Sequence, residues 1–267
     1  MIYKIFLKFK IVYVNFFKIF GFIPIIKDIR KSKGRKDIKF FKTSTGKYYL
    51  PKYYYQDIIR NHIIKNLVYD KEIYNCSKNF IKENSIVLDL GANYGQMSVL
   101  MGSFKKNVTV YSFEANKYVF NLLKKNLEVN NIKNKCFNVA ITDDLNKKYN
   151  FENLSKEKFE TLGSYNLSEI KNFNNQSEYI KSMKIDDLSF DKKISFMKVD
   201  IQGMDLQGMK SAKKTIYKHK MPIIFEYENL FEEELSYNFQ YYVNFVDEIN
   251  YTFTKVIGCN NFLITPK

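Results

Sequence analysis

The chain has no tryptophan, two histidines, three cysteines, four prolines and ten glycines among 267 residues. Each scarcity narrows what the protein is. Cys76, Cys136 and Cys259 are odd in number, far apart and without a C-x-x-C pair, so neither a disulfide framework nor a zinc site is indicated, and a reducing cytoplasm fits best. His62 falls among Ile59, Ile63 and Leu67 at helical spacing, and His219 stands in the basic triplet before Pro222. Both read as packing or surface residues. Arginine is nearly absent, because Arg30, Arg35 and Arg60 are the only ones among 43 basic residues. The net charge of +15 is therefore lysine charge, in a composition rich in residues with A/T-rich codons. Arginine is the preferred fork for phosphates and guanine edges, and no N/D-P-P-Y/F motif occurs, so nucleic acid is not the expected partner.

What is present begins with Ile86-Val87-Leu88-Asp89-Leu90-Gly91-Ala92-Asn93-Tyr94-Gly95. The run 86–90 has the apolar pattern of a strand buried on both faces of a parallel sheet. Gly91 and Gly95 permit backbone angles that a side chain forbids, and close approach of a ligand to the main chain. Residues 96–104 follow as a helix, with Met97, Leu100, Met101 and Phe104 at spacings of three and four. A dinucleotide site wants G-x-G-x-x-G for its pyrophosphate. Here the first of those glycines is missing and the acid of Asp89 precedes Gly91. That arrangement repels a pyrophosphate and suits a cofactor with an ammonium group, such as S-adenosyl-L-methionine.

Further strands repeat the pattern. Residues 108–113 (VTVYSF) read as a second strand ending at Glu114, placed to accept hydrogen bonds from ribose hydroxyls. Asn116 is the predicted cap of the next helix. Residues 135–141 (KCFNVAI) read as one third strand, bringing Asn138, Val139 and Ala140 to the same edge. Residues 194–199 form a fourth strand that ends at Asp200 and turns through Gly203 into a helix. Residues 222–228 (PIIFEYE) form a fifth. Lys198, Asp200, Gln202 and Glu226 are polar groups in or beside buried strands, where charge is costly unless paired or used. Lys198 is read either as a partner closing the core or as part of the site. Asp200 and Glu226 sit at strand ends, where ligands bind in open α/β sheets. Hard cations favour carboxylates, so Asp200 and Glu226 leave room for a divalent ion, but two acids in parallel strands do not make a metal site and none is assigned.

At the two ends the pattern changes. Ile2, Ile5, Phe6, Phe9, Val12, Tyr13, Phe16, Phe17 and Phe20 follow helical spacing opposite Lys4, Lys8 and Lys18, an amphipathic helix with too many lysines to span a membrane comfortably. It packs on its own domain or a twin subunit, or it lies on an anionic membrane face aided by the basic run 27–42. Residues 39–49 look like a hairpin. The polar stretch 146–182 is too long for a simple connection and predicts an inserted hairpin near the acceptor, with Thr161, Gly163, Ser164 and Asn166 as contacts. A helix over 241–249 and strands over 251–257 and 261–265 close the chain.

DLGANYG at 89–95, SFEAN at 112–116, NVAITD at 138–143 and KVDIQGMDLQGMKSA at 198–212 followed by PIIFEYE resemble the FkbM-like family of class I S-adenosylmethionine-dependent methyltransferases. The segment 52–74 resembles the family's lead-in helices, so the likeness covers about 52–228. It implies an α/β, Rossmann-like fold with a mostly parallel seven-stranded sheet and helices on both faces. The expected layout is an N-terminal amphipathic helix, basic linker and hairpin over 1–50 and the methyltransferase domain over 51–267. It also implies an O-methyltransferase acting on a sugar hydroxyl of a glycan, glycolipid or sugar-bearing metabolite. By this likeness Asp89, Gly91, Asn93 and Gly95 hold the methionine part, Glu114 and Ala115 the ribose side, and Asn138, Ala140 and Asp143 the adenine side. Asp200 is the expected base or acceptor orienter with Glu226 as helper, and Lys198, Gln202 and Ser164 are expected at the substrate. Ala115 stands where the family usually has proline, Gln202 where glutamate is frequent, and Asp205 is the shorter acid. Two other readings remain at this level: a non-catalytic, membrane-associated subunit of a glycan assembly system, and an RNA methyltransferase.

Overall fold

The computed structural model describes residues 37–52, 57–151, 167–169, 179–229, 238–256 and 260–267. The amphipathic segment 1–20, most of the basic run, Cys259 and the predicted contacts Thr161, Gly163, Ser164 and Asn166 lie outside them.

The predicted hairpin is formed by β1 (Ile38–Thr43) and β2 (Gly46–Pro51), antiparallel with Thr43 opposite Gly46. Tyr48 and Leu50 alternate inward and are fully buried. Two short lead-in helices follow, α1 (Ile58–Ile64) and α2 (Lys71–Ser77). Asp57 caps α1 by accepting from the Arg60 amide at 2.8 Å, and its second oxygen accepts from the Tyr94 hydroxyl at 2.8 Å. The lead-in segment is thereby fastened to the glycine-bearing turn.

The βα repeat then runs as β3 (Ile86–Leu90), α3 (Gln96–Ser103), β4 (Thr109–Phe113), α4 (Lys117–Val129) and β5 (Asn134–Phe137). Asn116 caps α4 as its type and position dictate, accepting from the amides of Tyr118 and Val119. The run 135–141, expected as one strand, divides. β5 ends at Phe137, and β6 (Ala140–Ile141) pairs instead with β9 (Ser182–Met183). The cause is Asn138, whose amide donates to the carbonyls of Glu114 and Ala115 at 2.8 and 2.9 Å and turns the chain across the strand ends. Between β6 and β9, β7 (Tyr149–Phe151) and β8 (Leu167–Glu169) form the inserted antiparallel pair.

After β10 (Ile194–Val199) the expected single helix is two, α5 (Asp205–Ser211) and α6 (Lys213–His219), divided at Ala212. β11 (Ile223–Glu226), α7 (Phe239–Glu248), β12 (Tyr251–Lys255) and β13 (Asn261–Pro266) complete the chain. The seven-stranded sheet has the order β12-β13-β11-β10-β3-β4-β5. β13 is antiparallel to both its neighbours, and the other pairs are parallel. The order reverses between β3 and β10, the switch point at which such sheets open a crevice.

Period-two alternation assigns the two faces. Ile86, Leu88 and Leu90 join Met197 and Val199 in the core under α5 to α7, whereas Val87 and Phe196 enter the opposite core under α3, α4 and the hairpin. Asn126 of α4 stitches the second layer together, bonding the amide of Tyr49 at 2.6 Å and the carbonyl of Tyr94 at 2.8 Å. Among the described residues no helix is long and apolar enough to cross a membrane.

The two motif glycines serve the protein's own packing. At Gly91 (φ +77°) a Cβ would lie 1.8 Å from the carbonyl oxygen of Asp200, so the turn after β3 and the end of β10 touch backbone to backbone. At Gly95 (φ +87°) a Cβ would meet Leu123 Cδ1 at 2.6 Å. The obstacle there is a side-chain methyl that can yield, so Gly95→Ala is expected to cost roughly 1–3 kcal/mol, chiefly from the left-handed backbone. A shift in the urea midpoint at unchanged slope measures it.

Candidate functional site

A cavity opens at the carboxyl ends of β3, β4, β10 and β11, over the switch point. Of the expected cofactor residues, Gly91, Asn93, Glu114, Ala115 and Ala140 line it, as do Lys198, Asp200, Gln202 and Glu226 from the expected catalytic and substrate set. Asp89, Gly95, Asn138 and Asp143 do not line it, and Ser164 lies outside the described residues. Asp89 is fully buried behind the turn. Its Oδ2 accepts from Ser98 Oγ at 2.5 Å, and its Oδ1 lies 3.6 Å from Lys198 Nζ. Asn138 acts through the loop that carries Glu114 and Ala115, as its two bonds to their carbonyls show.

Glu114 ends β4 as the sequence predicts. Its Oε2 accepts from the Asn93 amide at 2.9 Å and its Oε1 from the Asn116 amide at 2.8 Å, so the same carboxylate orders the glycine-bearing turn and the start of α4. Burial pushes its pKa up to about 7 against those two amides. Phe113, Val139 and Ile141 give that end of the cavity an apolar wall.

Lys198 is the electrostatic hinge. Nζ lies 2.9 Å from Asp200 Oδ2 and 3.4 Å from the Gly91 carbonyl, with Asp89 on its other side. Burial works against its charge, but Asp200, Asp89 and Asp70 outweigh that and raise its pKa. It stays charged at any working pH. Asp200 is held below the usual carboxylate range, because the ion pair with Lys198 overcomes the burial that would raise it. Asp89 is raised by burial in spite of Lys198 and Ser98.

Gln202, at φ +53°, lays its amide between the two acids, 3.3 Å from Asp200 Oδ1 and 3.4 Å from Glu226 Oε2. Burial and the neighbouring charges of Asp200, Asp205 and Glu228 push Glu226 up to about 10, so it carries its proton at neutral pH. Asp205 has a different task. It accepts from the amides of Ile201 and Gly203 at 3.3 and 3.2 Å and shapes the turn after β10.

Sequence reasoning passed over Tyr69, Asp70, Gln96 and Glu228, all of which line the cavity. Tyr69 and Asp70 lie in the loop before α2, and only that loop's fold over the crevice brings them there. Gln96 was legible only as the first residue of a helix. Its side chain accepts from the Tyr69 amide at 2.9 Å and donates to the Leu67 carbonyl at 2.8 Å. Neither histidine reaches the cavity. His62 Nδ1 donates to the Ile58 carbonyl, and His219 Nδ1 accepts from the Ile194 amide.

The donor set fits S-adenosylmethionine. Apart from Glu226, which carries its proton, Asp70, Glu114, Asp200 and Glu228 face the cavity with Lys198 as their cationic counterpart, a set of carboxyl oxygens suited to a ligand with a sulfonium and an ammonium. Glu114 would take the ribose hydroxyls, and the apolar wall beside it the adenine.

A profile of the family described as Methyltransferase FkbM domain matches residues 89–253. No curated protein sequence matches the chain significantly. Among solved structures, methyltransferase FkbM from Methylobacillus flagellatus KT is similar at 15% identity and a TM-score of 0.47, over 78% of this chain and 52% of that one, about half its length. An rRNA methylase from Streptococcus thermophilus is similar at 11% identity and a TM-score of 0.44, over 73% of this chain and 95% of that one. The tRNA (uracil-54, C5)-methyltransferase of Pyrococcus abyssi, solved with S-adenosyl-L-homocysteine, is similar at 10% identity and a TM-score of 0.44, over 86% of this chain and 44% of that one. Identities this low say nothing of the acceptor. The profile match, by contrast, takes in the glycine-bearing turn, the strand-end acids Glu114, Asp200 and Glu226 and the sheet as far as Phe253, more than half of the chain. The chain belongs to the FkbM methyltransferase family, with S-adenosylmethionine as its methyl donor.

Proposed function

We propose that the protein methylates a sugar hydroxyl of a glycan, glycolipid or sugar-bearing metabolite. The observation that carries this reading is the chemistry of the acceptor wall, where Asp200, Glu226 and Glu228 stand with the amide of Gln202. Carboxylates accept hydrogen bonds and hydroxyls donate them, so a polyol suits such a wall. An RNA acceptor would bring phosphates against the carboxylates of Asp200 and Glu228. Arg60, the one arginine among the described residues, is committed to the carbonyls of Pro51 and Lys52 and to Asn61 Oδ1.

S-adenosylmethionine supplies a methyl group already activated by its positively charged sulfur. The protein's part is to align the acceptor oxygen and to receive its proton. Alignment is worth roughly 7–11 kcal/mol in well-oriented systems. Asp200, kept ionised by Lys198, accepts the hydroxyl hydrogen and takes the proton as the carbon–oxygen bond forms. Its low basicity suffices, because an oxygen becomes strongly acidic once alkylated. Glu226, protonated and hydrogen-bonded to Asp200 both directly and through Gln202, holds Asp200 at the acceptor and offers its remaining lone pairs to the ring's other hydroxyls.

Incubation with methyl-labelled cofactor and matched glycan and RNA fractions of the source cells tests the reading. Label is expected in the glycan fraction. Label confined to RNA overturns it, and cofactor binding without transfer to any fraction favours the non-catalytic subunit.

A further inference from the structure

Near the end of β3 the acid expected beside the cofactor's methionine end, Asp89, does not line the cavity. It is fully buried and already engaged by Ser98 and Lys198. Another carboxylate does line the cavity. Asp70 lies in the loop before α2 with φ 53° and ψ 52°, and it makes no capping bond to its own helix. Among the described residues its side chain has no hydrogen-bond or ion-pair partner. The loop that presents it is not free to swing. Gln96, the first residue of α3, bonds the Tyr69 amide, the Leu67 carbonyl and, at 3.2 Å, Thr45 Oγ1 of the hairpin turn. The residue that starts the helix after the cofactor turn therefore positions the loop that carries Asp70.

We propose that Asp70 is the anchor for the α-ammonium of the cofactor's methionine end, with Gln96 as its positioning residue. The inference rests on the cofactor and is independent of the sugar acceptor. A carboxylate held over a cavity without a donor is completed by a cation, and the ammonium is the part of the cofactor that offers one. The local electrostatics agree. Burial and then the charge of Asp200 raise the pKa of Asp70 to about 7, with Glu72 of its own helix and Asp89 of β3 adding to the rise and Lys198 of β10 opposing it. An arriving ammonium relieves that crowding.

Calorimetry with two probes tests the proposal: S-adenosylhomocysteine, which carries the ammonium, and 5′-methylthioadenosine, which lacks the amino-acid part. Asp70→Asn keeps the left-handed backbone, which asparagine tolerates. It is expected to weaken S-adenosylhomocysteine about ten- to a hundredfold, the range for a hydrogen bond to a charged group, and to leave 5′-methylthioadenosine unchanged. The ratio of the two affinities should rise in the native protein between pH 6 and pH 8, as Asp70 ionises, and stay flat in the variant. Using the ratio removes Glu114, which titrates in the same range but meets the ribose common to both probes. Equal affinity of native and variant protein for S-adenosylhomocysteine overturns the assignment, and so does an equal loss for both probes. Native protein that binds neither probe overturns the cofactor reading with it.

Discussion

Asp200→Asn is expected to lower turnover by about 100- to 10,000-fold, the range for loss of a general base, while S-adenosylhomocysteine still binds. Asparagine keeps the shape of the side chain and can still meet Gln202, but it has no negative oxygen to receive the acceptor's proton. Its amide nitrogen would also face Lys198 Nζ, now 2.9 Å from a carboxylate oxygen. That contact must open, so the side chain loses its aim as well as its charge. Single-turnover kinetics with saturating cofactor separate the two proposed acids. Loss of the methyl-transfer step itself marks Asp200, whereas Glu226→Gln should raise the acceptor KM more than it lowers the rate. An Asp200→Asn protein that turns over normally removes this residue from the mechanism.

Lys198→Met should cost the fold about 3–5 kcal/mol, the usual penalty for breaking a buried ion pair from one side. Lys198 is only 3% exposed, and it stands between Asp89, fully buried, and Asp200. Without it two carboxylates are left facing each other inside the switch point of the sheet. The asymmetry of such pairs provides the check. Converting Asp89 to Asn in the same protein removes half of the uncompensated charge and should recover part of the loss, so the two changes are non-additive. Chemical denaturation of the native protein, both single variants and the double variant measures the coupling. Additive costs would mean that Lys198 contributes by packing alone.

Legibility followed the range of the interactions. The strands 86–90 and 194–199, the cap at Asn116, the hairpin near the start and the pair of strands at the end were visible because each rests on neighbouring residues: an apolar run, an N-cap type, a turn. The break at Asn138 was not visible, since the apolar residues Val139 to Ile141 follow it directly, and the bonds that bend the chain go to carbonyls more than twenty residues earlier. The division at Ala212 was hidden for a similar reason, because no helix breaker marks it. Glu114 was found from its place at a strand end, whereas Asp70 carries no such mark in the sequence.

By itself the sequence determined the order of the principal strands and helices, the glycine-bearing turn, the strand-end acids and the family to which they belong. These follow from local periodicity and from side chains whose chemistry is fixed by type. Only the tertiary structure decided which acids meet the cavity and which support it, that Lys198 holds Asp200 ionised while Glu226 keeps its proton, and that Asp70 joins the cavity lining. Those outcomes depend on distances across strands and loops far apart in the chain, where the contest between burial and neighbouring charge has no trace in one dimension.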